Sequence, residues 1–138
     1  MLTGMLLLTL VSVIDDAAVQ KDAPINIVIV LADDLGWNDL TFNGGGVAGG
    51  TVPTPHIDSI AAAGVTMTNA YMSGSVCSPS RAGMMTGRYQ TRFGHERNIP
   101  PGYMAGGLPL SETFVAKRLK TLGCKTSLVG KWHLGYPE

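Results

Sequence analysis

The residues best suited to chemistry lie in one stretch around Cys77. Ser78 is a predicted helix N-cap and Pro79 the first helical residue, a position where the missing N–H costs nothing. Gly87 is typical of a helix end. The helix start would direct free N–H groups and its positive dipole end at Cys77, and Arg81 would add a cation that suits a tetrahedral oxyanion. The stretch predicts a reactive residue in an anion pocket.

Two adjacent carboxylates, Asp33 and Asp34, follow a continuous β-branched run over residues 26–32. A run without alternation predicts a strand that is covered on both faces, as in a parallel sheet. Open α/β sheets bind ligands at the carboxyl ends of their strands. Neighbouring carboxylates repel each other unless a cation neutralises them, and oxygen ligands favour Ca²⁺ or Mg²⁺. The alternative is a solvated acidic turn.

Lys131 and His133 follow a second predicted strand, residues 124–130. Because they are two positions apart, a strand-like backbone would direct both side chains to the same side and Trp132 into packing. The alternative is a surface lysine and a hydrogen-bonded loop histidine.

Two helices are predicted from their end signals. The first covers residues 54–64, with Thr54 as the cap, Pro55 as the first residue and an apolar stripe that includes Ile57 and Ile60. The second covers residues 111–123.

The remaining segments between the helices complete the pattern. Residues 65–71 alternate and predict a strand, and residues 88–110 predict an irregular segment. Within that segment, Arg92, His95, Glu96 and Arg97 would line a pocket mouth or, as we favour, belong to a solvated loop. The order of strands and helices predicts an α/β fold, with the functional clusters at one edge of its sheet.

Composition restricts the class of protein. Among 138 residues, ten basic and ten acidic side chains cancel, which argues against general binding to nucleic acid or anionic membranes. Cys77 and Cys124 would also permit a disulfide bond.

The apolar run within residues 1–20 is too short to span a membrane and predicts a signal peptide. The alternatives are a mis-assigned start and a buried N-terminal segment.

Several motifs together resemble the sulfatase family. Cys77-Ser-Pro-Ser-Arg81, followed by Thr86-Gly87, is similar to the family signature. Residues 26–37, 54–58 and 130–135 resemble further family motifs, although asparagine is more usual than His56. The resemblance runs from about residue 25 to residue 136.

The resemblance implies that Cys77 is converted to formylglycine by a maturation enzyme that reads Pro79 and Arg81. The hydrated aldehyde would attack the sulfur of a sulfate ester, such as an aryl or carbohydrate sulfate. Asp33 and Asp34 would bind Ca²⁺, or less readily Mg²⁺, together with an oxygen of residue 77.

The other implied roles concern cations and a histidine. Arg81 would steady the hydrated aldehyde, while Lys131 and His133 would hold sulfate oxygens or the hydrate. A divalent cation with Lys131 and Arg81 would offset the charge that attack at sulfur spreads over the oxygens.

The implied fold is α/β, the N-terminal part of an alkaline-phosphatase-like sulfatase fold with a mostly parallel central sheet flanked by helices. Residues 21–138 would form a truncated N-terminal portion of the catalytic domain, inactive alone, because other family site residues lie beyond Glu138. An exported location, in the periplasm, lysosome or extracellular space, is expected. The alternatives are a phosphoesterase or phosphonate hydrolase of the same superfamily and a non-catalytic sulfatase-like binding module.

Overall fold

The structure is a computed structural model that describes residues 25–102 and 106–135. It forms two compact units, Met1–Ala32 and Asp33–Glu138. The predicted signal peptide lies outside the described residues. The described part of the first unit, residues 25–32, contains no helix or strand, and its Val28 and Val30 are more than four-fifths exposed. The predicted strand over residues 26–32 is therefore wrong for this unit, because a strand requires hydrogen bonds to a neighbouring strand.

The second unit is built from short helices. Within its described residues, the α-helices are α1 (Pro55–Ala63), α2 (Cys77–Thr86) and α3 (Val115–Thr121). Single-turn 3₁₀ helices lie at Trp37–Asp39, Thr41–Asn43, Ala48–Gly50 and Gln90–Phe93. No helix in the described ranges is long and apolar enough to cross a membrane.

The predicted strands of the second unit are also not formed. Residues 65–71 and 124–130 make no ladder, and the described residues pair as β-structure only at an isolated antiparallel bridge between Val47 and Val52. Val65 is 89% exposed and Val129 is 96% exposed. Both predictions rested on the β-branched residues of these segments. Such residues fit a pleated sheet surface well, but their presence does not show that a neighbouring strand is available for pairing.

Helix α1 forms where its end signals predict. Thr54 is the N-cap and Pro55 the first residue, and Gly64 follows the last turn. The carboxylate of Asp58 accepts hydrogen bonds from the hydroxyls of Thr41 (2.6 Å) and Thr54 (2.7 Å), which hold the Asp58 pKa below its usual value. Among the described residues, however, the predicted apolar stripe is not buried, and Ile60 is 71% exposed.

Helix α3 is shorter than predicted. It begins at Val115 after the extended Phe114, and not at residue 111, and it ends at Thr121. Glu112 therefore lies outside the helix, and it accepts hydrogen bonds from Nη1 of Arg88 at 2.6 and 2.7 Å. This ion pair joins Arg88, two residues beyond the end of α2, to the segment that leads into α3.

Helix α2 holds much of the buried surface of the second unit. It ends as predicted, because Gly87 adopts a left-handed φ of 66° and its N–H donates to the carbonyl of Gly83 at 2.9 Å. The buried residues of the helix are Ser78, Pro79, Ala82, Gly83 and Thr86. The helix that begins at Cys77 is therefore the best-anchored element near the predicted site.

Candidate active site

The start of α2 differs from the prediction. Cys77 is the first helical residue and the extended Val76 is the N-cap, so Ser78 does not cap the helix. The side chain of Asn98 performs that task, since its Oδ1 accepts a hydrogen bond of 2.9 Å from the Ser78 N–H. Pro79 has no N–H to offer. The helix start thus directs fewer free donors at an anion than the sequence suggested.

A carboxylate and two cations lie together beside this helix start. Oδ2 of Asp33 accepts a hydrogen bond of 2.8 Å from Lys131, and Oδ1 accepts one of 3.2 Å from Nη2 of Arg81. The first of these contacts, and then the second, lowers the pKa of Asp33 below 3.8. Arg81 also donates to the backbone carbonyl of Lys131. The guanidinium therefore fixes both Asp33 and the chain at Lys131.

Two of the predicted site residues affect the charge of Lys131. The carboxylate of Asp33 raises the pKa of the Lys131 ammonium above its ordinary 10.5, and the side chain of Cys77 raises it further. Lys131 is therefore a cation that Asp33 holds by its side chain and Arg81, a residue of α2, by its backbone carbonyl.

Asp33, Asp34 and Cys77 form a cluster of candidate metal ligands. One ligand atom from each lies within 4.8 Å of the other two. Asp34 has a left-handed φ of 57°, which is uncommon for a residue other than glycine and points to a local constraint. If residue 77 is modified, Sγ stands for an oxygen of the modified side chain. The donor set would then consist of oxygens and would fit a hard cation such as Ca²⁺.

His133 is held by its backbone and its ring. Its φ of 56° is left-handed, so the strand-like alternation that would place it beside Lys131 is wrong. Nε2 lies 3.0 Å from the carbonyl of Ile99, and because a carbonyl only accepts, Nε2 carries the proton. Nδ1 is buried and has no hydrogen-bond partner within the described ranges. The ring therefore keeps a free acceptor.

Trp132 points into packing, as predicted. Its ring contacts Phe114 edge to face, with centroids 6.0 Å apart.

Cys77 and Cys124 are both free thiols, so the alternative of a disulfide between them is wrong.

Sequence reasoning missed two residues of this region, Asn98 and His95. His95 is buried at 7% exposure and contacts the hydroxyl of Ser78, so its assignment to a solvated loop is wrong, whereas Arg92, Glu96 and Arg97 are exposed as expected. Neither Asn98 nor His95 falls in a periodic segment, and burial of a loop residue leaves no local pattern in the sequence.

Comparison with known proteins places these residues in a family. A model of the family described as Sulfatase matches residues 25–138. Dog arylsulfatase H is 46% identical over 116 residues, covering 80% of this chain and 20% of that protein. Mouse N-acetylgalactosamine-6-sulfatase is 39% identical over 137 residues, covering 94% and 26%. Human arylsulfatase A is 43% identical over 112 residues, covering 81% and 21%.

Solved structures show the same relationship. The crystal structure of Ps i-CgsB matches with a TM-score of 0.71 and 37% identity, covering 78% of this chain and 23% of that chain. The predicted fold class, the N-terminal part of an α/β, alkaline-phosphatase-like sulfatase fold, is confirmed by this similarity, although the individual strands are not formed in the described residues. The chain spans about a fifth to a quarter of the length of the curated relatives it matches. Since the family model covers most of the sequence, the chain belongs to the sulfatase family.

Proposed function

We propose that the full product of this gene is a sulfuric ester hydrolase of the arylsulfatase type. One observation supports this most strongly. Asp33, Asp34 and Cys77 present ligand atoms within 4.8 Å of one another, and Nζ of Lys131 lies 2.8 Å from Oδ2 of Asp33. A sulfate ester is an anion whose charge spreads over its oxygens during attack at sulfur. A metal site and a fixed ammonium at one point suit that charge distribution.

The proposed metal ion is Ca²⁺. Asp33 and Asp34 would hold it together with an oxygen of residue 77, and the ion would supply positive charge to the sulfate oxygens without a proton transfer. Ca²⁺ takes six to eight oxygen ligands, on the order of twice the number that these residues offer, so the proposal requires further ligands.

The proposed nucleophile derives from Cys77. Conversion to formylglycine by a maturation enzyme that reads Pro79 and Arg81 would supply a hydrated aldehyde. One of its hydroxyls would attack sulfur and the bond from sulfur to the alcohol oxygen would break, so that the alcohol leaves. The second hydroxyl would then lose its proton, which expels sulfate and restores the aldehyde. The neighbouring side chains have distinct tasks around it. Lys131, which donates to Asp33 of the same cluster, would also donate to a sulfate oxygen, and Arg81 holds Asp33 and the Lys131 backbone in place. His133 would hold the hydrate through Nδ1, the buried ring nitrogen that has no hydrogen-bond partner among the described residues.

The test is an assay of the full gene product with an aryl sulfate and an aryl phosphate side by side. We expect turnover of the sulfate, with Cys77→Ala inactive and Cys124→Ser active, because Cys124 is an exposed thiol with no proposed role. Faster turnover of the phosphate would replace the proposal with the phosphoesterase alternative. Equal activity in Cys77→Ala would exclude the proposed nucleophile.

The mass of the peptide that contains Cys77 tests the modification separately. Formylglycine is lighter than cysteine and reacts with aldehyde reagents, whereas a quantitatively alkylated thiol in active protein would contradict the proposal. An unmodified Cys77 in protein that binds no Ca²⁺ would instead favour the non-catalytic binding module.

We infer that the protein is exported, because the apolar run near its N-terminus has the length of a signal-peptide core. N-terminal sequencing of the mature protein checks this. Cleavage near residues 17–20 is the expected result, and a retained Met1 would contradict it.

A further inference from the structure

Three separate segments of the second unit meet at one buried hydroxyl, that of Ser78. Its Oγ lies 2.6 Å from the backbone carbonyl oxygen of His133 and 2.7 Å from Nε2 of His95. Ser78 has no exposed surface, and His95 is 7% exposed. We call this pair of side chains the Ser78–His95 tether. Through its bond to the carbonyl of His133, the same hydroxyl joins the first turn of α2 to the segment that carries Lys131 and His133.

The chemistry of the groups fixes the direction of both hydrogen bonds. A carbonyl oxygen only accepts, so the Ser78 hydroxyl donates its single proton to the carbonyl of His133. Oγ must then accept from His95, which places a proton on Nε2 of that ring. The hydroxyl is thus satisfied as a donor and as an acceptor. A buried polar group in this condition favours a single arrangement of the segments it joins.

The Ser78 hydroxyl connects two parts of the site. Ser78 directly follows Cys77, and its N–H is held separately by Asn98. The carbonyl that accepts from Ser78 belongs to His133, whose left-handed backbone is a costly conformation that persists where surrounding contacts determine it. The hydrogen bond from Ser78 is one such contact, and the one between Nε2 of His133 and Ile99 is another.

We propose that Ser78 and His95 are positioning residues that hold residue 77 at a fixed place relative to residues 131–133. Their burial keeps them from contacting the substrate, so they act through Cys77, Lys131 and His133. The reaction that they serve is the proposed sulfatase reaction, but the positioning itself does not depend on it. It is measurable on the unmodified thiol.

The experiment compares the alkylation rates of the two thiols in the full gene product, expressed so that Cys77 remains a thiol. Iodoacetamide is the probe, and peptide mass spectrometry follows half-buried Cys77 with exposed Cys124 as the internal reference. His95→Leu removes one hydrogen bond of the Ser78 hydroxyl, and Ser78→Ala removes both. We expect His95→Leu to raise the Cys77 rate relative to Cys124 by about fivefold, because losing one buried hydrogen bond favours local opening by about that factor, and Ser78→Ala to raise it at least as much.

Matched variants separate positioning from general stability. Thr86→Val removes another buried hydroxyl, at the other end of α2, where Oγ1 donates to the carbonyl of Ala82 at 2.7 Å. It should leave the Cys77 rate within about twofold of wild type. His95→Gln keeps a side-chain N–H donor and should restore most of the protection. The double variant of Ser78→Ala and His95→Leu should react no faster than Ser78→Ala alone.

Two results would overturn the proposal: an unchanged Cys77 rate in Ser78→Ala, or an equal increase in Ser78→Ala and Thr86→Val. A steady-state assay of the matured protein adds a functional measurement. Ser78→Ala should lower kcat for an aryl sulfate by about tenfold and leave KM nearly unchanged, since substrate contacts remain. A wild-type protein without sulfatase activity would contradict the proposed function, while the thiol measurement would still decide the positioning.

Discussion

Nζ of Lys131 lies 2.8 Å from Oδ2 of Asp33, although the two residues are 98 positions apart in the sequence. Arg81 contacts the other oxygen of the same carboxylate. Both Asp33 and Lys131 are substantially exposed, so salt screens their attraction and the pair adds little to stability. Its consequence is local: the pair places a cation beside the start of α2.

The first prediction concerns the titration of Asp33. Its pKa is held below 3.8 first by the hydrogen bond from Lys131 and then by that from Arg81. Lys131→Met should therefore raise the Asp33 pKa toward 3.8, as measured by NMR of the carboxyl carbons. Lys125→Met, which removes another exposed lysine, is the control and should leave the titration unchanged. An unshifted Asp33 in Lys131→Met would show that the pair does not persist in solution.

The second prediction is that Ca²⁺ stabilises the folded protein through the two adjacent carboxylates. A ligand that binds only the folded state at 100 times its Kd adds about 2.7 kcal/mol to the free energy of unfolding. The rise in Tm on adding CaCl₂ should disappear in Asp34→Asn. It should persist in Asp39→Asn, because Asp39 accepts a hydrogen bond from the N–H of Gly36 and belongs to no ligand cluster in the described ranges. A calcium response equal in both variants would exclude the proposed site.

The features that the sequence predicted best are helix ends, which depend on residues within one turn. Thr54 and Pro55 mark the start of α1, and Gly87 marks the end of α2, because caps, proline and glycine act within one turn. The closeness of Asp33, Cys77 and Lys131 was also expected, although it was argued from a sheet edge that the described residues do not form.

What the sequence could not predict depends on distant contacts. Residues 65–71 have strand composition but lack a neighbouring strand, and composition does not report neighbours. Ser78 has the residue type of an N-cap, yet Asn98 caps its N–H from 20 positions away and its hydroxyl bonds His95 instead. The left-handed backbone of His133 likewise reflects tertiary contacts, since histidine does not signal it locally.

The third prediction concerns stability against pH. The contribution of the Asp33–Lys131 pair to the free energy of unfolding does not change between pH 3.8 and 10.5. The depressed carboxyl pKa makes this contribution fall only below that range, and the raised ammonium pKa makes it fall only above it. The titration of His95 changes the free energy of unfolding inside that range. Burial lowers its pKa below 6.5; the carbonyl of Gly107 opposes this shift, and His133 adds to it.

A depressed histidine pKa means that the unfolded chain binds the proton first as pH falls. The contribution of His95 is therefore complete above pH 6.5 and is lost as pH decreases from 6.5 toward the lower pKa of the folded state. Urea unfolding at several pH values should show this loss in wild type and a flatter dependence in His95→Gln. His56→Gln, which removes an exposed histidine, should keep the wild-type slope. If His95→Gln keeps that slope too, another group is responsible.

The last prediction reverses the usual effect of replacing a helical glycine. In an exposed helix interior, alanine is more stable than glycine by about 1 kcal/mol. At Gly83 of α2, an added Cβ would overlap Oγ of Ser73 and lie 3.2 Å from Oε1 of the buried Gln90. Gly83→Ala should therefore lower the free energy of unfolding by about 1–3 kcal/mol, measured in urea. Ser73→Gly combined with Gly83→Ala should recover part of that loss, because it removes the overlapping hydroxyl. A single Gly83→Ala variant as stable as wild type would show that Ser73 can leave this position at no cost.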